Sequence, residues 1–371
     1  MTETVRPSPS TSTRGGLKAF ALFGVLLFVG VALYAAPSPQ PAPVVTAEES
    51  KEKKTPATAA AAAKAFLNAL NAKQNEKAVY EFASSKKPNW SNLPVSFVPR
   101  NGVRLGDLNK DQRDKAMAVV AAVLSKEGYQ KVLDIMGGDQ MLADNQGGGG
   151  RGGRGGRGGG PMFGKDLYYL AIFGTPSETQ PWMVQFGGHH LGINVTVVGK
   201  TFVLTPTHTG AQPSRYKRGN EEVRPLGRES DAAYKLMDAL DAKQRATAII
   251  GQRPQSELLL GPGRDGKTIE PKGIKGSALT KDQRVLLLEV IAAWVNIVEP
   301  DAAATRLAAI KEKLDDTYFA WSGPTEKGKA AYFRIQGPAV VIEYAPQNGT
   351  DHIHTVIRNP EDDYGAGLMK R

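Results

Sequence analysis

The residues best able to do chemistry in this chain are its five histidines, His189, His190, His208, His352 and His354, all in segments that read as strands. Strand side chains alternate between faces, so positions two apart project side by side. His352 and His354 therefore present two imidazoles toward one point, and His190 shares a face with Asn194, with Gly192 leaving space for a ligand between them. Paired imidazoles suit a divalent transition metal (zinc, iron, copper or manganese), above all with a carboxylate beside them. Two other readings stay open. The histidines, His189 among them, line a pocket for a small polar ligand without a metal, or they bond to backbone carbonyls and only support the sheet.

Further polar residues fall in the same segments. Arg334 and Gln336 share a strand face with Tyr332 ahead of the turn at Gly337-Pro338, and Arg358 follows the second histidine pair closely. An arginine fork clamps a carboxylate or a sugar, or forms an ion pair on the sheet surface. Asp351 either orients the neighbouring imidazole or begins a strand. The absence of cysteine removes disulfides, thiolate metal sites and cysteine nucleophiles. Gly261 to Thr268 satisfies the P-loop pattern literally, yet Pro271, Gly273 and Gly276 forbid the helix whose N-terminus would cradle phosphate. No serine sits in a nucleophile elbow.

An internal repeat positions these residues. Leu70-Asn71-Ala72-Lys73-Gln74 recurs as Leu240-Asp241-Ala242-Lys243-Gln244, and Leu108-Asn109-Lys110-Asp111-Gln112-Arg113 recurs as Leu279-Thr280-Lys281-Asp282-Gln283-Arg284. In all four, Asn, Asp or Thr caps a helix and Gln three positions on reaches back to the cap, a capping box followed by an apolar run. The strand segments repeat as well: Tyr168 to Gly174 resembles Thr317 to Gly323, and Val184 to Gly188 resembles Phe333 to Gly337. The helix starts are offset by 170 (71 to 241) and 171 (109 to 280), the glycines by only 149 (188 to 337). The first copy therefore holds about 22 extra residues, in the interval containing the Gly/Arg-rich tract at about 144–161. The expected architecture is α+β in two pseudo-equivalent halves, about 59–212 and 229–371, each of helices followed by an antiparallel β-meander. The 149-residue offset sets Glu343 opposite Asn194, which completes an expected metal set of His190, Glu343, His352 and His354.

Ahead of the repeats, Arg6, Arg14 and Lys18 precede an apolar run from Ala19 to Ala36, with Pro37-Ser38-Pro39 after it. A basic flank, an apolar run and a helix-breaking exit describe a signal peptide or a signal anchor. Leu33 and Tyr34 stand where cleavage needs small residues. An uncleaved anchor is therefore expected, with residues 1–18 as a basic cytoplasmic tail and 37–58 as a flexible tether. The folded part then lies outside the cytoplasm, or is secreted or periplasmic. The net charge of +10 is spread through the tail, the Arg-Gly-Gly triplets and acid-interspersed surface segments, so nucleic acid is not an expected partner.

Phe186-Gly187-Gly188-His189-His190-Leu191-Gly192-Ile193-Asn194, Phe319 to Glu326, Tyr332 to Pro338 and Asp351 to Val356 together resemble the domain of unknown function 3500. The resemblance covers about residues 60–371 and carries no established activity. The chain departs from the pattern in its Arg-Gly-Gly insert and at Ile357, where an aromatic is expected. Three functions follow as alternatives: an exported metal-binding protein or metal-dependent enzyme, a non-catalytic module for a small ligand or peptide, and a structural or interaction protein at the membrane.

Overall fold

The computed structural model describes residues 55–147, 162–367 and Met369. The expected cytoplasmic tail, the apolar run at 19–36, nearly all of the tether and the Arg-Gly-Gly triplets lie outside these residues. Among the described residues no helix is long and apolar enough to cross a membrane.

Helix α1 (Pro56–Ala69) begins three residues ahead of the expected boundary, because Thr55 caps it in a box with Thr58 and Pro56 occupies its first turn. The remaining helices are α2 (Ala72–Ala78), α3 (Lys110–Val123), α4 (Lys126–Gly147), α5 (Gly227–Ala239), α6 (Ala242–Ala248), α7 (Lys281–Val295) and α8 (Pro300–Glu312). All four expected capping boxes form, at Asn71, Asn109, Asp241 and Thr280. Their glutamines also cross-brace the helices. Gln74 and Gln112 pair through their carboxamides while Gln112 Nε2 donates to Ala69 O, and Gln244 and Gln283 repeat the arrangement with Ala239 O.

The strands are β1 (Val79–Tyr80), β2 (Val103–Arg104), β3 (Tyr169–Phe173), β4 (Trp182–Gly188), β5 (Leu191–Val198), β6 (Thr201–Val203), β7 (Thr207–Ala211), β8 (Tyr216–Arg218), β9 (Glu221–Val223), β10 (Ile249–Gly251), β11 (Ile274–Lys275), β12 (Tyr318–Ser322), β13 (Tyr332–Gln336), β14 (Val341–Pro346) and β15 (Ile353–Arg358). One large sheet runs in the order β1-β3-β4-β5-β7-β15-β14-β13-β12-β10. The meanders β3-β4-β5 and β12-β13-β14 are antiparallel, and β1 and β10 join their outer edges in parallel. The fold is thus mixed α+β, with the antiparallel pair β7–β15 at the centre of the sheet.

The two faces of the sheet differ. Leu170, Phe186, Ile193, Phe333, Ile342 and Ile357 point toward Phe66, Val120, Leu287 and Trp294 of the helices, in one continuous apolar core. Burying each such side chain stabilises the fold by about 1.5–3 kcal/mol. The alternate residues Gln185, Asn194, His208, Arg334, Glu343, His354 and Arg358 are also buried, but beneath loop rather than helix. Residues 81–102 and 252–273 supply that cover: Gln185 Nε2 donates to Lys87 O, and Arg334 Nη2 donates to Glu270 O.

Glycines allow these loops to rejoin the sheet. Gly102 has φ +102° and Gly273 φ +100°; a Cβ would sit 2.3 Å from Leu170 O at the first and 2.1 Å from Phe319 O at the second. Both contacts are with backbone, which cannot yield cheaply. Gly102→Ala and Gly273→Ala are each expected to cost at least about 2 kcal/mol in urea unfolding, more than Gly199→Ala, which at φ +57° suffers backbone strain alone because its Cβ would meet nothing within 4 Å.

Candidate functional site

Strands β4 and β5 form a hairpin in which Gly188 pairs with Leu191, so His189 and His190 make the two-residue turn. His190 has φ 60°, a region a non-glycine residue enters only at a cost of about 1–3 kcal/mol. Two backbone bonds hold it there: its N–H donates to Asn92 O at 3.2 Å, and Gly210 N–H donates to its carbonyl at 2.7 Å. Gly210 is in β7 and pairs with His354 of β15. The central strand pair therefore brings the turn of the first meander against the histidines at the start of β15.

Three ring nitrogens converge as a result. His190 Nε2 lies 2.8 Å from His352 Nε2, which lies 3.0 Å from His354 Nε2. His190 and His354 are buried, and His352 is partly exposed. A ring nitrogen carries either a proton or a lone pair. His352 Nε2 thus has at best one proton to share between two neighbours, whereas a cation would use all three lone pairs. Metal–nitrogen bonds of about 2.0–2.1 Å in tetrahedral geometry separate nitrogens by about 3.3 Å, a few tenths of an ångström from the two separations made by His352 Nε2. The cluster is compatible with metal binding.

Neighbouring groups fix the rings. Asp139, from α4, meets His189 Nδ1 at 2.5 Å, and Tyr168 Oη donates to His189 O. The His189 ring lies 3.7 Å, centroid to centroid, from that of His190. Asn92 Nδ2 is 3.3 Å from His354 Nδ1. A half-turn of that carboxamide would present its oxygen instead, leaving the imidazole proton on Nδ1 and a lone pair on Nε2. His208 lies beneath Trp90, their ring centroids 6.4 Å apart, and neither of its nitrogens has a hydrogen-bond partner of normal geometry.

Burial lowers the pKa of four of these imidazoles. His208 falls to about 3, mainly by burial and then by the charges of Arg100 and His189. His352 falls to about 4, again mainly by burial. His190 and His354 fall well below the ordinary value, through burial and repulsion from neighbouring histidines.

The other expected site residues share this face of the sheet but are engaged elsewhere. Glu343 accepts hydrogen bonds from the N–H groups of Leu259 and Leu260 and from Tyr332 Oη, at 2.7–2.9 Å. It anchors the covering loop and does not join the three imidazoles. Asn194 is bonded to Gln185 and to Pro206 O, and the space beside Gly192 is filled by Trp90. Gln336 donates to Ile269 O. Arg358 binds Leu260 O, Gly261 O, Asp265 and Asp363, pinning the P-loop-like segment, which has no helix after it. Asp351 accepts from Ser214 N–H rather than from an imidazole. Sequence reading missed Asp139 and Asn92; one lies in a helix, the other in a covering loop, and neither carries a periodic signal.

Two outcomes follow. Glu343→Ala is expected to cost about 2–3 kcal/mol in urea unfolding by leaving two amide donors unmet. The histidine shifts set the acid response. Their folded pKa values lie below the unfolded value near 6.5, so below pH 6.5 the unfolded chain takes up protons that the folded chain refuses. Stability is fully present above that pH and declines toward pH 4. In urea unfolding at several pH values, His208→Leu is expected to flatten this decline; an unchanged slope would show that His208 does not contribute.

No curated protein and no solved structure matches the chain. Residues 52–366, from just ahead of the first capped helix to just beyond the last strand, match the family model described as protein of unknown function (DUF3500), and the chain belongs to that family.

Proposed function

We propose that this protein binds one divalent transition metal ion, zinc, iron, copper or manganese, through the Nε2 atoms of His190, His352 and His354. The observation that carries this reading is the convergence of three ring nitrogens within 2.8 and 3.0 Å links, a group that hydrogen bonds among themselves cannot satisfy. Three imidazoles leave a coordination position for a small polar molecule, and the partly exposed His352 gives that position an opening. An ion held there supplies Lewis-acid chemistry. The protein's own contribution is to keep the imidazoles neutral by burial and to orient them through the His190 turn and the Asn92 carboxamide. On this reading the protein is a metal-dependent enzyme or a metal carrier. The basic flank and apolar run at Ala19–Ala36 support an exported or membrane-anchored location.

Metal analysis and titration calorimetry of the full chain test the reading. One ion per chain is expected, with a visible tetrahedral spectrum when cobalt is used. His352→Ala and His354→Ala should each weaken binding by at least about 100-fold while the far-ultraviolet dichroism stays intact. A metal-free protein whose stability ignores added zinc, cobalt, copper and manganese would sink the proposal.

A further inference from the structure

Where the first turn of α5 crosses the ends of β13 and β14, a cavity of about 490 Å³ opens. Phe333 and Tyr344 lie in its lining but are almost fully buried: their rings stack on each other with centroids 4.7 Å apart, and Phe333 also stacks with Trp321 at 5.9 Å. Its rim is cationic, with Arg215, Arg224, Lys327 and Lys329 against a single carboxylate, Asp231. That carboxylate is already held by Arg224, through contacts of 2.8 and 3.2 Å, and by Lys327 at 3.2 Å. Arg215 has only a loose, exposed contact of 3.7 Å with Glu222, and among the described residues Lys329 forms no ion pair. The hollow therefore carries an excess of positive charge. A concave site lined by one sign of charge concentrates counter-ions, and arginine and lysine recognise carboxylates and phosphates.

We propose that this cavity binds a small organic anion whose body fills the hollow and whose carboxylate or phosphate meets the Lys327, Lys329 and Arg215 rim. The site does not depend on the histidine cluster, although Ser214 and Thr350 of its wall flank Asp351, the residue before His352.

Benzoate, phenyl phosphate and inorganic phosphate, each titrated calorimetrically into the full chain, test the proposal. Binding of benzoate or phenyl phosphate is expected, to wild type and to His352→Ala alike, because no metal ligand is involved. The exposed pair Lys327→Gln/Lys329→Gln should weaken it at least tenfold without changing the melting temperature of the ligand-free protein. Failure of both organic anions to bind at millimolar concentration would overturn the proposal. So would binding that survives the double lysine variant but is lost with His352→Ala. Inorganic phosphate binding as tightly as phenyl phosphate would overturn the role assigned to the hollow and leave only the charged rim.

Discussion

The antiparallel pairing of β7 with β15 is the interaction on which the candidate site depends. It joins segments far apart in the chain, with Thr209 opposite Thr355 and their hydroxyls 2.7 Å apart in a fully buried position. Trp294 Nε1 donates to the same Thr355 hydroxyl, which ties the pair to the helix layer. A central pair satisfied in this way fixes register, and register decides which face each side chain takes. One residue of slip would turn His208 and His354 toward the helices and carry Gly210 away from the His190 carbonyl.

The composition of the sheet follows from what covers each face. Helices bond their own backbone internally and offer only side chains, so the face beneath them is apolar. Loops offer unpaired N–H and C=O groups, and a buried sheet under loops must answer them with polar side chains. Glu343 receives two loop amides, Arg358 donates to two loop carbonyls, and Gln185 bonds Lys87 O and Asn101. These residues have the chemistry of a binding site and serve instead to attach the cover. The three clustered histidines are distinct because their nitrogens face one another rather than the loop backbone.

Much of the local structure was legible from residue types. The four capping boxes depend on an i to i+3 relation between a short polar side chain and a glutamine, and all four form. The paired imidazoles of His352 and His354 depend on strand alternation, and their Nε2 atoms do meet. The repeat offset placed Glu343 at the position equivalent to Asn194 but carried no information about its partners. Offset equates positions within two copies; it does not report what each copy's covering loop demands of them. Gly192 makes the same point, since the space it leaves is taken by Trp90.

By itself the sequence determined the four capped helix starts, the strands of the two meanders and the α+β class, because each rests on neighbours within a few residues; of the five histidines only His208 and His354 lie within strands. Tertiary structure decided that one continuous sheet forms, that His190 meets the 352/354 pair, and that Asp139 and Asn92 sit beside them. Those contacts join residues from about 50 to more than 250 positions apart, where no periodicity operates and only packing and backbone satisfaction select the partner.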